Sequence, residues 1–270
     1  MVGPQDNYTH GHHPSVLRSH AARTAENSAG YLLGHLRSGA SVLDVGCGPG
    51  SITVDLARIV APGPVVGVER SEAAVRSARE SLQELELINV EFAVGDAYAL
   101  DFPDDSFDIV HAHQVLQHLS DPVAALREMT RVCKPGGIVA VRDADYSAMS
   151  WYPASEGLDR WMRLYLEVAR SNGGEPDAGR HLLAWAHAAG LQVIEPSASV
   201  WCYATERTRS EWGQTWAVRV TESEFARQAV ADGRADAAEL EGLASAWRVW
   251  SQEPDGWFTI PHGELVCFLE

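Results

Sequence analysis

With 270 residues, 46% of them hydrophobic and 21% charged, the chain can bury a large core and is not a disordered or low-complexity protein. Its net charge of -16, from 37 acidic against 21 basic side chains, repels phosphate backbones and anionic lipid, so nucleic-acid and membrane-surface substrates are disfavoured. The four cysteines, Cys47, Cys133, Cys202 and Cys267, form no C-x-x-C pair, which excludes the usual zinc and disulfide frameworks and reads as free thiols in a reducing cytoplasm.

Residues 1–14 are polar, with Gly and Pro among several histidines. They carry no basic-then-apolar leader pattern, and no stretch of the chain is apolar for long enough to cross a bilayer. His10, His12 and His13 lack carboxylate or thiolate neighbours, so no metal site is expected there. The segment reads either as a lid, with Tyr8 and His12 reaching a pocket, or as a solvated tail. Residues 15–36 follow with helical spacing of apolar positions, which gives an N-terminal lid and helix over 1–39.

From residue 40 the chain alternates. Strands are predicted over 41–45, 65–68, 90–94, 107–112 and 138–142, and helices over 51–60, 72–85 and 121–132. Asp121-Pro122 reads as an N-cap and first helical residue, and Lys134-Pro135-Gly136-Gly137 as a turn. The strands are short and uniformly apolar, as in a parallel sheet covered by helices on both faces. Beyond 145 the pattern changes. Residues 146–188 and 207–252 read as helical and hold most of the nine tryptophans, while 191–204 and 257–268 read as strands, the latter bent at Pro261. The expected architecture is a Rossmann-like, doubly wound α/β fold. With the two strands beyond 145 the sheet is expected to be seven-stranded and mostly parallel; an antiparallel last strand is what the family resemblance given below implies. Residues 40–145 form the binding core, and 146–270 add helical caps and the last strands to the same domain.

The chemistry concentrates at three strand ends. Asp44-Val45-Gly46-Cys47-Gly48-Pro49-Gly50 follows the first strand and opens a helix, where glycines let the backbone turn and let a ligand approach closely. Glu69 ends the second strand, where a carboxylate can accept from both hydroxyls of a ribose. Asp96-Ala97 follows the third, where an aspartate either accepts from an exocyclic amine or closes an Asx turn.

These pieces, with VGDAYALDFPDDSFDIV (94–110) and HQVLQHLSDPVAALREMTRVCKPGG (113–137), resemble the class I S-adenosylmethionine-dependent methyltransferases. The branch most resembled is that of the ubiquinone and menaquinone biosynthesis enzymes. The resemblance spans roughly 36–145. It implies that Asp44, Gly46 and Gly48 surround the methionine part of S-adenosylmethionine, that Glu69 holds its ribose, and that Arg70 lies over its adenine. Asp96 and Ala97 would meet the adenine edge, and His113 and Gln114 would sit near the reactive methyl. S-adenosylhomocysteine would be the product.

A sulfonium methyl needs no metal. It needs an aligned nucleophile, excluded water and, for oxygen or acidic carbon, a proton acceptor. His113 and His118 are the candidates for that role. Trp151, Tyr152 and Trp216 are candidate pocket walls, against the alternative of plain core packing. The (N/D)-P-P-(Y/F) sequence of many nucleic-acid and protein methyltransferases is absent after the fourth strand, where His113-Gln114-Val115-Leu116 stands. A small-molecule acceptor follows, at oxygen or carbon before nitrogen. Two alternatives remain: a cofactor-binding protein of this fold with a structural or rearrangement role, and, remotely, a nicotinamide oxidoreductase, for which no Tyr-x-x-x-Lys apparatus is evident. Monomer and homodimer are both open.

Overall fold

The computed structural model describes Thr9 and residues 23–270. The expected lid, with Tyr8 and His12, lies outside the described residues. The described end of the expected first helix forms two short turns, Ala25–Ser28 and Gly30–Leu33.

Five strands, β1 (Val42–Val45), β2 (Val65–Glu69), β3 (Val90–Val94), β4 (Phe107–His113) and β5 (Cys133–Ala144), enclose three helices. These are α1 (Ser51–Val60), α2 (Glu72–Gln83) and α3 (Pro122–Val132). Side-chain caps start the last two where expected: Ser71 Oγ accepts from the Ala74 amide, and Asp121 Oδ1 from the Ala124 amide, with Pro122 in the first turn. The second half holds β6 (Ser150–Tyr152), α4 (Glu156–Ser171), α5 (Ala178–Ala189) and β7 (Val193–Tyr203). It continues through α6 (Glu206–Glu222), α7 (Glu224–Ala231), α8 (Ala237–Gln252) and β8 (Trp257–Phe268).

The strands form one sheet in the order β3-β2-β1-β4-β5-β8, with β6 and β7 also paired to β8. The pairings among β1 to β5 are parallel, and β8 runs antiparallel to β5, β6 and β7. Seven of these strands, with the last antiparallel, are the expected mostly parallel sheet. The eighth, β6, was not expected.

Three predicted elements differ. Residues 134–137 are not a turn before the strand: β5 already begins at Cys133, opposite Phe107, and its register then jumps so that Ile138 faces Ile109. Gly136, with φ 73°, absorbs that irregularity as only glycine readily does. Residues 146–188 are not helical throughout, because Trp151 and Tyr152, residue types that favour strands, pair with β8 before Pro153. The helical stretch over 207–252 is three helices, broken at Ser223 and again around Gly233.

Apolar side chains pack on both faces of the sheet, with Leu43, Val110 and Val141 on one and Val42, Ile109 and Ala140 on the other. A third cluster builds the cap from Trp161, Trp216, Trp247, Trp250 and Phe258. The indoles of Trp161 and Trp247 meet edge to face at 4.8 Å, and those of Trp161 and Trp216 at 4.5 Å. Core packing is therefore the role of these tryptophans. The sheet presents the carboxyl ends of β1 to β5 along one edge, and the cap closes over the β4–β5 end.

Candidate functional site

Gly46, Gly48 and Gly50 have φ of 69°, 54° and 84°, so the turn after β1 needs left-handed backbone at three alternate residues. A Cβ on Gly46 would lie 2.3 Å from Val115 Cγ2. The close approach of the chain after β4 is thus by itself a reason for glycine at 46. Beneath the turn, Asp44 is buried and sits opposite His111 in the β1–β4 register. Its Oδ1 lies 2.8 Å from His111 Nδ1, and its Oδ2 accepts from the Thr53 hydroxyl of α1 at 2.6 Å. The Asp44 carboxylate therefore ties β1, β4 and α1 together under the turn.

At the next strand end, Glu69 Oε2 accepts from the Gly48 amide at 3.2 Å and Oε1 from the Ser71 amide at 3.0 Å. Each carboxylate oxygen has a second lone pair for a hydroxyl. Arg70 follows, exposed. Asp96 Oδ1 accepts from the Tyr98 amide at 3.0 Å, which is the Asx turn weighed from the sequence. Its second oxygen and the half-buried Ala97 complete the row. One glycine turn and two carboxylates at adjacent strand ends suit a ligand that presents vicinal hydroxyls and an amine.

The end of β4 differs in character. Gln114 is a non-glycine residue at φ 54°, left-handed backbone that few non-glycine residues adopt. Its Oε1 accepts from Arg23 at 2.5 Å, and its Nε2 lies 2.8 Å from His262 Nε2. Since His262 Nδ1 donates to the Ile260 carbonyl, Nε2 is the acceptor and this imidazole is neutral. Burial pushes its pKa well below the ordinary value, and Arg142 adds to that.

His113 lies behind Trp201, with ring centroids 5.6 Å apart, and neither ring nitrogen has a hydrogen-bond partner. Burial first, then Arg23 and Arg142, holds its pKa well below the imidazole range. This argues against the expected proton-acceptor role of His113. His118 does face open space. Gln117 Oε1 accepts from the Ala144 amide, so its Nε2 donates to His118 Nε2 at 3.0 Å. His118 Nδ1 then carries the proton.

His118 belongs to the wall of a cavity of about 420 Å³ between the ends of β4, β5 and β7 and helix α6. Tyr146, Trp201, Tyr203 and Trp212 supply its aromatic surface, and Gln114 and Gln117 its amides. The size is typical of small-molecule sites, about 300–1,000 Å³. The expected wall residues lie elsewhere. Trp216 is buried in the cap, Trp151 stacks on Phe258, and Tyr152 is largely exposed. Trp201, Tyr203 and Trp212 were missed because their roles depend on where β7 and α6 meet, which no local pattern encodes. Among the described residues no cluster of His, Cys, Asp and Glu could hold a metal ion, and the cysteines are unpaired.

A family model described as a methyltransferase domain matches residues 36–191. An uncharacterised methyltransferase of Schizosaccharomyces pombe is 38% identical over 98% of this chain and 98% of its own. The chain belongs to the methyltransferase-domain family. The cofactor of this methyltransferase is S-adenosylmethionine. A demethylmenaquinone methyltransferase of Listeria welshimeri is 41% identical, over 40% of this methyltransferase and 46% of its own chain. The crystal structure of a [4+2]-cyclase is also similar, at 27% identity and a TM-score of 0.51 over 92% of this chain and 79% of that one. No helix among the described residues is long and apolar enough to cross a membrane.

Proposed function

We propose that the enzyme methylates an oxygen or carbon of a small molecule seated in the cavity beside Gln114. The observation that carries this reading is the juxtaposition of two unlike sites along one sheet edge: a carboxylate-rich row over β1–β3 and an aromatic-walled cavity of about 420 Å³ over β4, β5 and β7. In this reading Gly48, Glu69, Asp96 and Ala97 hold the cofactor, with Glu69 on the ribose hydroxyls and Asp96 on the adenine amine. Arg70 covers the adenine, and Asp44 and Gly46 keep the turn in shape. S-adenosylmethionine, when bound, supplies a methyl carbon open to in-line attack. The protein's part is alignment and exclusion of water. Trp201, Tyr203 and Trp212 form an aromatic wall for the acceptor, with His118 on the same cavity. Gln114 joins Arg23 to His262 and so fixes the boundary between the two sites. The neutral imidazoles of His113 and His262 add no positive charge beside a sulfonium.

The test is incubation of the pure protein with S-adenosylmethionine and a fractionated pool of phenols, enols and carbon acids. Release of S-adenosylhomocysteine, with one acceptor gaining a CH₂ in mass, is expected. The likeness to a [4+2]-cyclase favours a second reading, in which the nucleoside is bound but no methyl moves. Tight nucleoside binding with no S-adenosylhomocysteine above the blank would select that one.

A further inference from the structure

We infer that the cavity takes a neutral, flat, conjugated ligand with a hydrogen-bond-accepting oxygen, an undissociated phenol or an aromatic carbonyl compound, in preference to an acid or an amine. Such a ligand is the acceptor of the reading above, on which this inference rests.

The wall is flat. Its four aromatic side chains come from three places: Tyr146 after β5, Trp201 and Tyr203 on β7, and Trp212 on α6. Tyr203 and Trp212 stack at 4.4 Å with 12° between their rings, and Tyr146 stacks on Tyr165 at 4.2 Å and 13°. Met149 and Ile260 add aliphatic surface. Faces of this kind pack best against a flat, conjugated ligand.

The charged groups of the wall are engaged within the protein. Arg207 pairs with Glu211 at 3.2 Å. Arg23 donates to Gln114 Oε1 at 2.5 Å and lies 5.5 Å over Trp201. Arg219, only 4% exposed, lies 5.3 Å over Trp216 and has further partners. An anion would have to draw a guanidinium away from these contacts, and a cation would enter beside three of them.

The uncharged polar atoms left to a ligand are chiefly donors. Gln114 Oε1 and Gln117 Oε1 accept from Arg23 and from the Ala144 amide, and each Nε2 gives one hydrogen to an imidazole nitrogen, of His262 and of His118. One N–H remains on each side-chain amide. Trp201 Nε1 donates to the Asn27 carbonyl at 2.6 Å, whereas Trp212 Nε1 is buried without an acceptor. Oxygen atoms of a ligand answer these N–H groups without carrying charge.

The titratable groups around the cavity take their neutral forms. Burial raises the Tyr203 phenol to about 12 and raises that of Tyr146 as well, against the opposing pull of Arg23 and Arg219. Behind the wall, burial holds the imidazoles of His113 and His262 well below their ordinary range. A hydroxyl or an amine brought into the same surroundings is pushed the same way, toward the uncharged form.

The test uses one flat frame in three charge states, 2-naphthamide, 2-naphthoate and 2-naphthylmethylammonium, titrated calorimetrically at neutral pH into the full chain saturated with S-adenosylhomocysteine. 2-Naphthamide should bind roughly tenfold tighter than either ion. Its saturated counterpart, decahydronaphthalene-2-carboxamide, should bind roughly threefold to tenfold more weakly than 2-naphthamide. Trp212→Leu should weaken 2-naphthamide roughly tenfold while S-adenosylhomocysteine binding persists. Should that variant fail to fold, Tyr203→Leu gives the same comparison. Either ion binding as tightly as 2-naphthamide would overturn the inference. So would no binding of 2-naphthamide at millimolar concentration, a saturated frame that binds as well as the flat one, or binding untouched by both substitutions. None of these readouts depends on turnover. Methylation of an acid or an amine that 2-naphthamide fails to inhibit would sink the neutral-ligand inference and leave small-molecule methyl transfer standing. The expected binding pattern beside no methyl transfer to any acceptor would instead sink the acceptor-site reading.

Discussion

The strand ends over β1–β3 and those over β4, β5 and β7 are built from opposite materials. The first set offers backbone amides, glycines and the carboxylates of Glu69 and Asp96, close to one another along the chain. The second offers guanidiniums, neutral imidazoles and indoles, drawn from residues as far apart as Arg23, Gln114 and His262. The first half offers carboxylate oxygens to hydroxyls and an amine, and the second a largely aromatic wall with two amides.

The largest way to break this contrast is Gly46→Val. The residue holds φ 69° and its added Cβ would strike Val115 Cγ2. Backbone strain and overpacking should together cost about 2–6 kcal/mol in urea denaturation, and S-adenosylhomocysteine binding should be lost. Unchanged stability would mean that the turn does not need glycine.

A second variant acts between the halves. Asp143 is buried at the end of β5, where its Oδ1 accepts from the Gln117 amide and its Oδ2 has no partner. Burial raises its pKa from 3.8 to about 7. Between those values the unfolded chain has lost a proton that the folded chain keeps, so this group costs stability as pH rises from about 4 to 7. Asp143→Asn should therefore stabilise the protein more at pH 8 than at pH 4, by on the order of 2–4 kcal/mol. An equal effect at both pH values would contradict the assignment. The depressed pKa values of His113 and His262 act in the opposite sense, with stability lost as pH falls below their ordinary value of 6.5. Only the difference between variant and wild type isolates Asp143.

The contrast also separates what was legible in the sequence from what was not. The first half could be read because its requirements are local: left-handed residues at 46, 48 and 50, an acid at a strand end, an Asx turn at 96. The fold over 40–145 was legible for the same reason, through short apolar runs punctuated by glycine and proline. The 134–137 irregularity was misread because a glycine in a bulge and a glycine in a turn look alike in one dimension. The second half was largely hidden. Arg219 is one of five arginines between 200 and 240, and nothing in its neighbours tells that it reaches a cavity shared with Arg23. Trp216 carried the same signal as Trp212, yet one lies in the core of the cap and the other on the cavity wall.

Glu69→Ala sharpens the contrast with a smaller effect. It should weaken S-adenosylhomocysteine by about 1–3 kcal/mol in calorimetry, the typical loss of a charge-assisted hydrogen bond. An unchanged affinity would mean that Glu69 does not hold the ribose.

Hydrogen–deuterium exchange with and without S-adenosylhomocysteine tests the division most directly. The nucleoside should slow exchange at the amides of residues 46–51, 69–72 and 95–98 and leave those of 200–219 unaltered. Protection confined to 200–219, with the glycine turn exchanging as in the free protein, would contradict it.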